Sequence, residues 1–154
     1  MTGARIVRVG GIEIGNHRPF VLIAGPCQIE SREHAFEVAA ALREMSAATG
    51  VAVIYKSSYD KANRTSGGAA RGVGMARGLE ILAGVRERFG MPVLTDVHLP
   101  DHCAPAAEAV DVLQIPAFLC RQTDLLLAAG ETGKPINVKT VSYTHLTLPT
   151  ILRV

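Results

Sequence analysis

The sequence predicts an α/β protein built as a (β/α)8 barrel, and three observations lead there. Short runs rich in branched apolar residues recur along the chain, each followed by a segment with helical periodicity. A polar residue stands at or just past the end of each run: Cys27, Lys56, Asp96, Gln114 and Lys139. Those five residues come from five different strands. Strands and helices alternating in this way give a parallel sheet covered by helices, either an open doubly wound sheet or a closed barrel. An open sheet gathers its site at one switch point between two strands. A barrel collects groups from the C-terminal ends of many strands around one site. The distribution favours the barrel.

Each element has its own signal. Ile6 to Val9 and Ile12 to Ile14 flank Gly10-Gly11 and predict an N-terminal β-hairpin. Val21 to Ala24 is the first buried strand. Ala35, Val38, Leu42 and Met45 then mark one face of a helix, with Ser31 as N-cap, Glu33 in the first turn and Gly50 as the stop. Val51 to Tyr55 is the second strand. After a polar, Gly-rich loop, Met75, Leu79, Leu82, Val85 and Phe89 form the next helical face, closed by Gly90. Pro92 to Thr95 is the third strand, followed by a short helix from about Asp101 to Ala109. Val112 to Ile115 is the fourth strand, Thr123 to Ala129 a helix, and Ile136 to Val138 the fifth strand. A barrel of this kind has eight strands and typically ~250 residues. Residues 1–140 are therefore expected to be the N-terminal part of such a domain, truncated after about five strands. Residues 141–154 carry neither a barrel-helix pattern nor a glycine-marked turn and resemble the translation of a sequencing-library adapter. They are expected to be a non-native tail without chemistry, Tyr143 and His145 included.

Composition narrows the function. The 154 residues are 48% hydrophobic with a formal charge of +2, which fits a globular protein and gives no broad footprint for nucleic acid or an anionic membrane. The three cysteines, Cys27, Cys103 and Cys120, are odd in number and widely spaced, so a reducing compartment is expected in place of a disulfide framework. No secretory signal and no run long enough to span a bilayer are seen, so the protein is expected in the cytoplasm.

The richest stretch is Lys56 to Ser66, where two lysines, an arginine, hydroxyls and an amide follow a buried strand directly. Lysine supplies point charge, arginine a bidentate fork for phosphate, and hydroxyls and amides orient sugar oxygens. A solvated basic loop would also have this composition, but Lys56 ends a strand, and Gln114 and Lys139 recur at equivalent places. Other motifs fall away. Gly72-Val-Gly74 lacks a third glycine, since Arg77 stands there, and follows a loop and not a strand. His98, His102 and Cys103 could suggest a metal cluster, but Pro100 between the histidines disfavours a helix presenting both together. His102 and Cys103 read as loop or helix-start residues, Cys120 as a packed thiol, and Glu80, Glu87 and Glu108 as solvent-facing helix positions.

Five motifs in order, Ile23 to Ser31, Lys56 to Ser66, Thr95 to His98, Gln114 to Asp124 and Ile136 to Lys139, resemble the 3-deoxy-D-manno-octulosonate 8-phosphate synthase family over about residues 5–140. The resemblance implies condensation of phosphoenolpyruvate with D-arabinose 5-phosphate, with release of phosphate, in lipopolysaccharide synthesis. It implies that Lys56, Lys61, Gln114 and Lys139 hold phosphoenolpyruvate, with Lys61, Asn63 and Lys139 catalytic. Asn63, Arg64 and Thr65 would grip the aldose phosphate, with Asp96 near its hydroxyls and Pro116, Ala117 and Phe118 also at the substrate. Phe118 and Arg121 match positions that the family lends to a neighbouring subunit, which implies a homo-oligomer, by family a tetramer. Cys27 matches the cysteine of metal-dependent members and implies a divalent metal such as zinc, iron or manganese, its other ligands lying beyond this stretch. The sister enzyme acting on erythrose 4-phosphate shares the Gly-Pro-Cys start, but Ala62-Asn63 and Gln114 to Phe118 favour the octulosonate family. A truncated product without activity is the other expectation for the 154 residues alone.

Overall fold

The computed structural model describes residues 6–61 and 71–139. Strands β1 (Val7–Val9) and β2 (Ile12–Ile14) form the expected antiparallel hairpin, with Val9 opposite Ile12 across Gly10-Gly11. The chain then alternates: β3 (Val21–Ala24), α1 (Arg32–Thr49), β4 (Ala52–Lys56), α2 (Met75–Phe89), β5 (Val93–Asp96), α3 (Pro100–Ala109), β6 (Val112–Ile115), α4 (Thr123–Glu131) and β7 (Ile136–Val138). Strands β3 to β7 are parallel and neighbour one another in sequence order. A doubly wound sheet would reverse its order somewhere; this one does not, and it curls into a five-stranded half-barrel.

Local chemistry sets the helix limits. The Ser31 hydroxyl accepts a hydrogen bond from the His34 backbone N–H at 3.1 Å and so caps α1, and Gly50 ends it at φ 73°. Helix α3 begins one residue earlier than the sequence suggests, because Pro100 sits in its first turn, where the missing N–H leaves no bond unmade. A 3₁₀ turn at Ala117–Leu119 was not predicted; three residues are too few to show a period.

The strands alternate between two faces. Tyr55, Val93, Leu113 and Ile115 face outward and pack beneath the helices with Leu82, Val85, Ala106 and Leu125. Ile54, Leu94 and Val112 face inward, and Val9 of the hairpin packs onto them, sealing the lower end of the curl. Two residues further along the same inner face come Lys56, Asp96 and Gln114. The register sets Asp96 beside Gln114 and Gln114 beside Asn137. One glycine is dictated by this geometry: a Cβ on Gly25 would lie 2.0 Å from the Lys56 carbonyl oxygen, so only glycine lets the turn after β3 cross the end of β4. No helix among the described residues is long and apolar enough to cross a membrane.

Candidate active site

Above the apolar layer, at the C-terminal ends of the strands, a cavity of about 390 Å³ opens. Cys27, just past β3, lines it with Lys56 at the end of β4, Asp96 at the end of β5, Gln114 on β6 and Lys139 after β7. The five strand-end residues singled out from the sequence thus share one cavity. Lys61, Pro116, Ala117 and Phe118 line it too, Phe118 standing 73% exposed at the rim. Arg121, beyond the 3₁₀ turn, is exposed and is not among the lining residues. Asn63, Arg64 and Thr65 lie outside the described residues, as do residues 140–154.

Asp96, 6% exposed, is the centre of the site. Gln114 Nε2 donates to Asp96 Oδ1 and the Ser58 hydroxyl donates to Asp96 Oδ2. Gln114 is itself held by Asn137 Nδ2, which donates to its Oε1 at 2.9 Å. The ammonium groups of Lys56 and Lys61 stand 3.9 and 3.7 Å from Asp96 Oδ2 and donate to the Ser58 hydroxyl at 3.1 and 3.0 Å. Burial opposes ionisation of Asp96, yet Lys56, the bonds from Ser58 and Gln114, and Lys61 together hold its carboxyl below the usual carboxylate range. Burial lowers the pKa of Lys56, with Lys61 and Lys139 adding repulsion, against the opposing pull of Asp96 and Cys27. Lys56, Lys61 and Lys139 line the cavity against two carboxylates, Asp96 and the Arg71-paired Asp60, which leaves an excess of positive charge that suits a small ligand carrying several negative charges.

Sequence reasoning missed several members of this network. Ser58 and Asn137 meet their partners across 38 and 23 residues, and neither serine nor asparagine is unusual beside a loop. Asp60 and His98 also line the cavity. As expected, no helix presents both histidines: Pro100 opens α3, leaving His98 ahead of it and His102 in its first turn. The turn at Pro100 nevertheless brings their rings edge-on, with centroids 6.2 Å apart. Tyr59 fills the space beside both, its hydroxyl 2.9 Å from His102 Nδ1. Burial lowers the pKa of His98, whose Nδ1 is enclosed without a partner. His102 and Cys103 occupy the first turn of α3, as expected, and Glu80, Glu87 and Glu108 face solvent.

The loop that leaves the site is tied at both feet. Lys61 N–H donates to the Arg71 carbonyl at 2.7 Å, and Gly74 N–H to the Tyr59 carbonyl at 3.2 Å. Arg71 forks onto Asp60 through Nε at 2.9 Å and Nη2 at 2.6 Å. Gly72, at φ 119°, is where a Cβ would meet the Tyr59 carbonyl at 2.4 Å; its role is close packing of the loop's return.

A metal was also expected at Cys27. Its thiol is exposed and lines the cavity, so it is placed to act as one ligand, and thiolate suits a divalent transition metal. Among the described residues, no three His, Cys, Asp or Glu side chains converge to complete such a site.

Comparison with known proteins agrees with the motifs. The chain is 71% identical over 136 residues to the 2-dehydro-3-deoxyphosphooctonate aldolase of Granulibacter bethesdensis, covering 88% of this chain and 48% of that protein. It is 62% identical over 138 residues to the protein of the same name from Methylobacterium radiotolerans, covering 90% and 49%. With that of Brucella anthropi it shares 56% over 133 residues, covering 86% and 48%. The chain spans about half the length of the curated relatives it matches. A model of the DAHP synthetase I family matches residues 4–149, nearly the whole sequence, and the chain belongs to that family.

Proposed function

We propose that this chain is the N-terminal part of an enzyme that condenses phosphoenolpyruvate with D-arabinose 5-phosphate and water, giving 3-deoxy-D-manno-octulosonate 8-phosphate and inorganic phosphate. The observation that carries this reading is the cavity lined by Lys56, Lys61 and Lys139 together with Asp96 and Gln114. The names of the relatives support it. They favour it over the erythrose 4-phosphate reaction, which the family's description keeps as the alternative.

The chemistry follows from the charges. Carbon 3 of the enol phosphate attacks the aldehyde carbon, whose oxygen takes up a proton. Carbon 2 becomes cationic in character, water adds there, and the carbon–oxygen bond to phosphate breaks. Lysines neutralise the carboxylate and phosphate and hold the reacting carbons in line, an effect of positioning and electrostatics. Asp96, kept ionised, attracts the cationic carbon or accepts from the sugar hydroxyls. Asn63, Arg64 and Thr65 grip the aldose phosphate in this reading. A divalent metal, when bound, would polarise an oxygen as a Lewis acid. Cys27 would supply one ligand, and the rest would come from the half of the relatives' length not covered here. Phe118, exposed at the rim, and Arg121 would complete the site of a neighbouring subunit in a homo-oligomer, by family a tetramer. The enzyme would work in the cytoplasm on the route to lipopolysaccharide. Residues 1–140 would belong to the barrel and 141–154 would be foreign to it.

The test is phosphate release by the full-length enzyme carrying this sequence, given phosphoenolpyruvate with either aldose phosphate. The reading expects arabinose 5-phosphate to be strongly preferred. Equal or faster turnover with erythrose 4-phosphate would replace it with the alternative.

A further inference from the structure

We infer that Ser58 is a positioning residue whose single hydroxyl sets the spacing of the Lys56 and Lys61 ammonium groups and so sets how tightly the anionic groups of phosphoenolpyruvate are held. The inference rests on the reading above, in which those two lysines bind that substrate.

A hydroxyl has one proton to give and two lone pairs to offer. Ser58 commits all three: it donates to Asp96 Oδ2 and accepts from Lys56 Nζ and Lys61 Nζ at 3.1 and 3.0 Å. The distances decide which group holds the lysines. Both ammonium groups are 3.7 Å or more from the carboxylate, beyond hydrogen-bond reach, so their direct partner is the serine oxygen and not Asp96. Charge attracts the lysines toward Asp96, and Ser58 stops them short.

The oxygen is fixed in place. Ser58 is 0% exposed, and its backbone carbonyl accepts from Ile29 N–H at 3.0 Å, across a parallel bridge to Gln28. On its other side, Thr95 Oγ1 donates to the Ser57 carbonyl at 2.8 Å, and Ser57 Oγ donates to the Pro26 carbonyl at 2.9 Å. The turn after β3, the end of β4 and the end of β5 thus all hold the serine, while each lysine swings on a flexible four-carbon stem. Without the hydroxyl, both ammonium groups would close onto Asp96 and withdraw from the cavity, although the charges present would be unchanged.

The test uses the full-length enzyme carrying this sequence and Ser58→Ala, which removes one atom. The Michaelis constant for phosphoenolpyruvate should rise roughly tenfold, the loss of one charge-assisted bond's worth of orientation. That for arabinose 5-phosphate should stay within about twofold. Adding Ser58→Ala to Lys61→Ala should raise the phosphoenolpyruvate constant less than adding it to wild type, because the two residues act together. A crystal structure of the variant should show Lys56 and Lys61 Nζ moved to hydrogen-bond distance of Asp96. Unmoved lysines, or equal rises in both constants, would overturn the inference. A wild-type enzyme that does not turn over this substrate pair would sink the functional reading instead, and the lysine positions would still decide the role of Ser58. Should the alanine variant not fold, Ser58→Cys keeps the volume, offers only a weak acceptor, and is held to the same outcomes.

Discussion

The inner face of the half-barrel carries two layers, one above the other, that differ in everything but their strands. The lower layer is Ile54, Leu94 and Val112 with Val9 beneath them, apolar and almost wholly buried. The upper layer, two residues further along the same strands, is Lys56, Asp96 and Gln114, with Asn137 from β7. The two are held together by different physics. The lower layer gains from removing apolar surface from water, which is non-directional and tolerates exchange of shape for volume. The upper layer gains only if each donor meets an acceptor, and a single unmet group there is expensive. The fold can therefore hold its lower layer loosely specified while the upper one is fixed atom by atom.

Substitutions should separate the layers. The largest loss of activity is expected at the rim, where Cys27→Ala in the full-length enzyme should remove bound divalent metal and turnover together while leaving the melting temperature of the metal-free protein unchanged. Full activity of the wild type after verified metal removal would return Cys27 to the status of an ordinary thiol. Next comes Asp96→Asn. Asp96 receives two donors, whereas asparagine offers one acceptor and one donor, so Gln114 or Ser58 would face a like group. Turnover should fall by about a hundredfold or more, with about 1–3 kcal/mol of stability lost; unaltered kinetics would empty the upper layer of its role.

Leu94→Ala should do the reverse. It should cost about 2–5 kcal/mol in denaturant unfolding, with both Michaelis constants nearly unchanged. Val9→Ala, at the edge of the same layer, should cost about 1.5 kcal/mol, two buried carbons' worth, and the hairpin would be shown to be ornamental if it cost nothing. The smallest effect is in pH. The folded-state pKa of Asp96 is depressed, so its contribution to stability is complete above the ordinary aspartate pKa of ~3.9 and is lost as pH falls through the folded value. Acid unfolding of Asp96→Asn should lack that component, and parallel pH profiles for the two proteins would assign it elsewhere.

How much of this could be read in the sequence follows the same division. Strands of branched apolar residues, the Ser31 cap, the Gly50 stop and the strand-end residues Lys56, Asp96 and Gln114 all announce themselves through period or position. The inward direction of those ends follows from the two-residue alternation once the strands are known. Partners across the sheet do not follow. Nothing near Ser58 in sequence says that it will meet Asp96, and nothing near Gln114 points to Asn137; only the register of neighbouring strands brings them together. Pro100 does keep one helix from presenting both histidines, since His98 precedes α3 and His102 lies in it; their ring contact comes from the corner that Pro100 makes at the first position of the helix, which sequence position alone does not show.

The tied feet of the loop after β4 bear on how such a site can change its tastes over generations. Lys61 and Arg71 are bonded through their backbones, and Asp60 grips the Arg71 side chain, so the two ends of the connection from β4 to α2 are held side by side in a closed clasp. Between chain ends held together, the entropic cost of closure grows slowly with length, by only about 0.6 kcal/mol for each doubling. Insertions, deletions and substitutions between the feet would therefore leave β4, α2 and the lysine pair nearly undisturbed. The clasp thus separates changes made between its two ends from the Lys56, Ser58 and Lys61 cluster beside it.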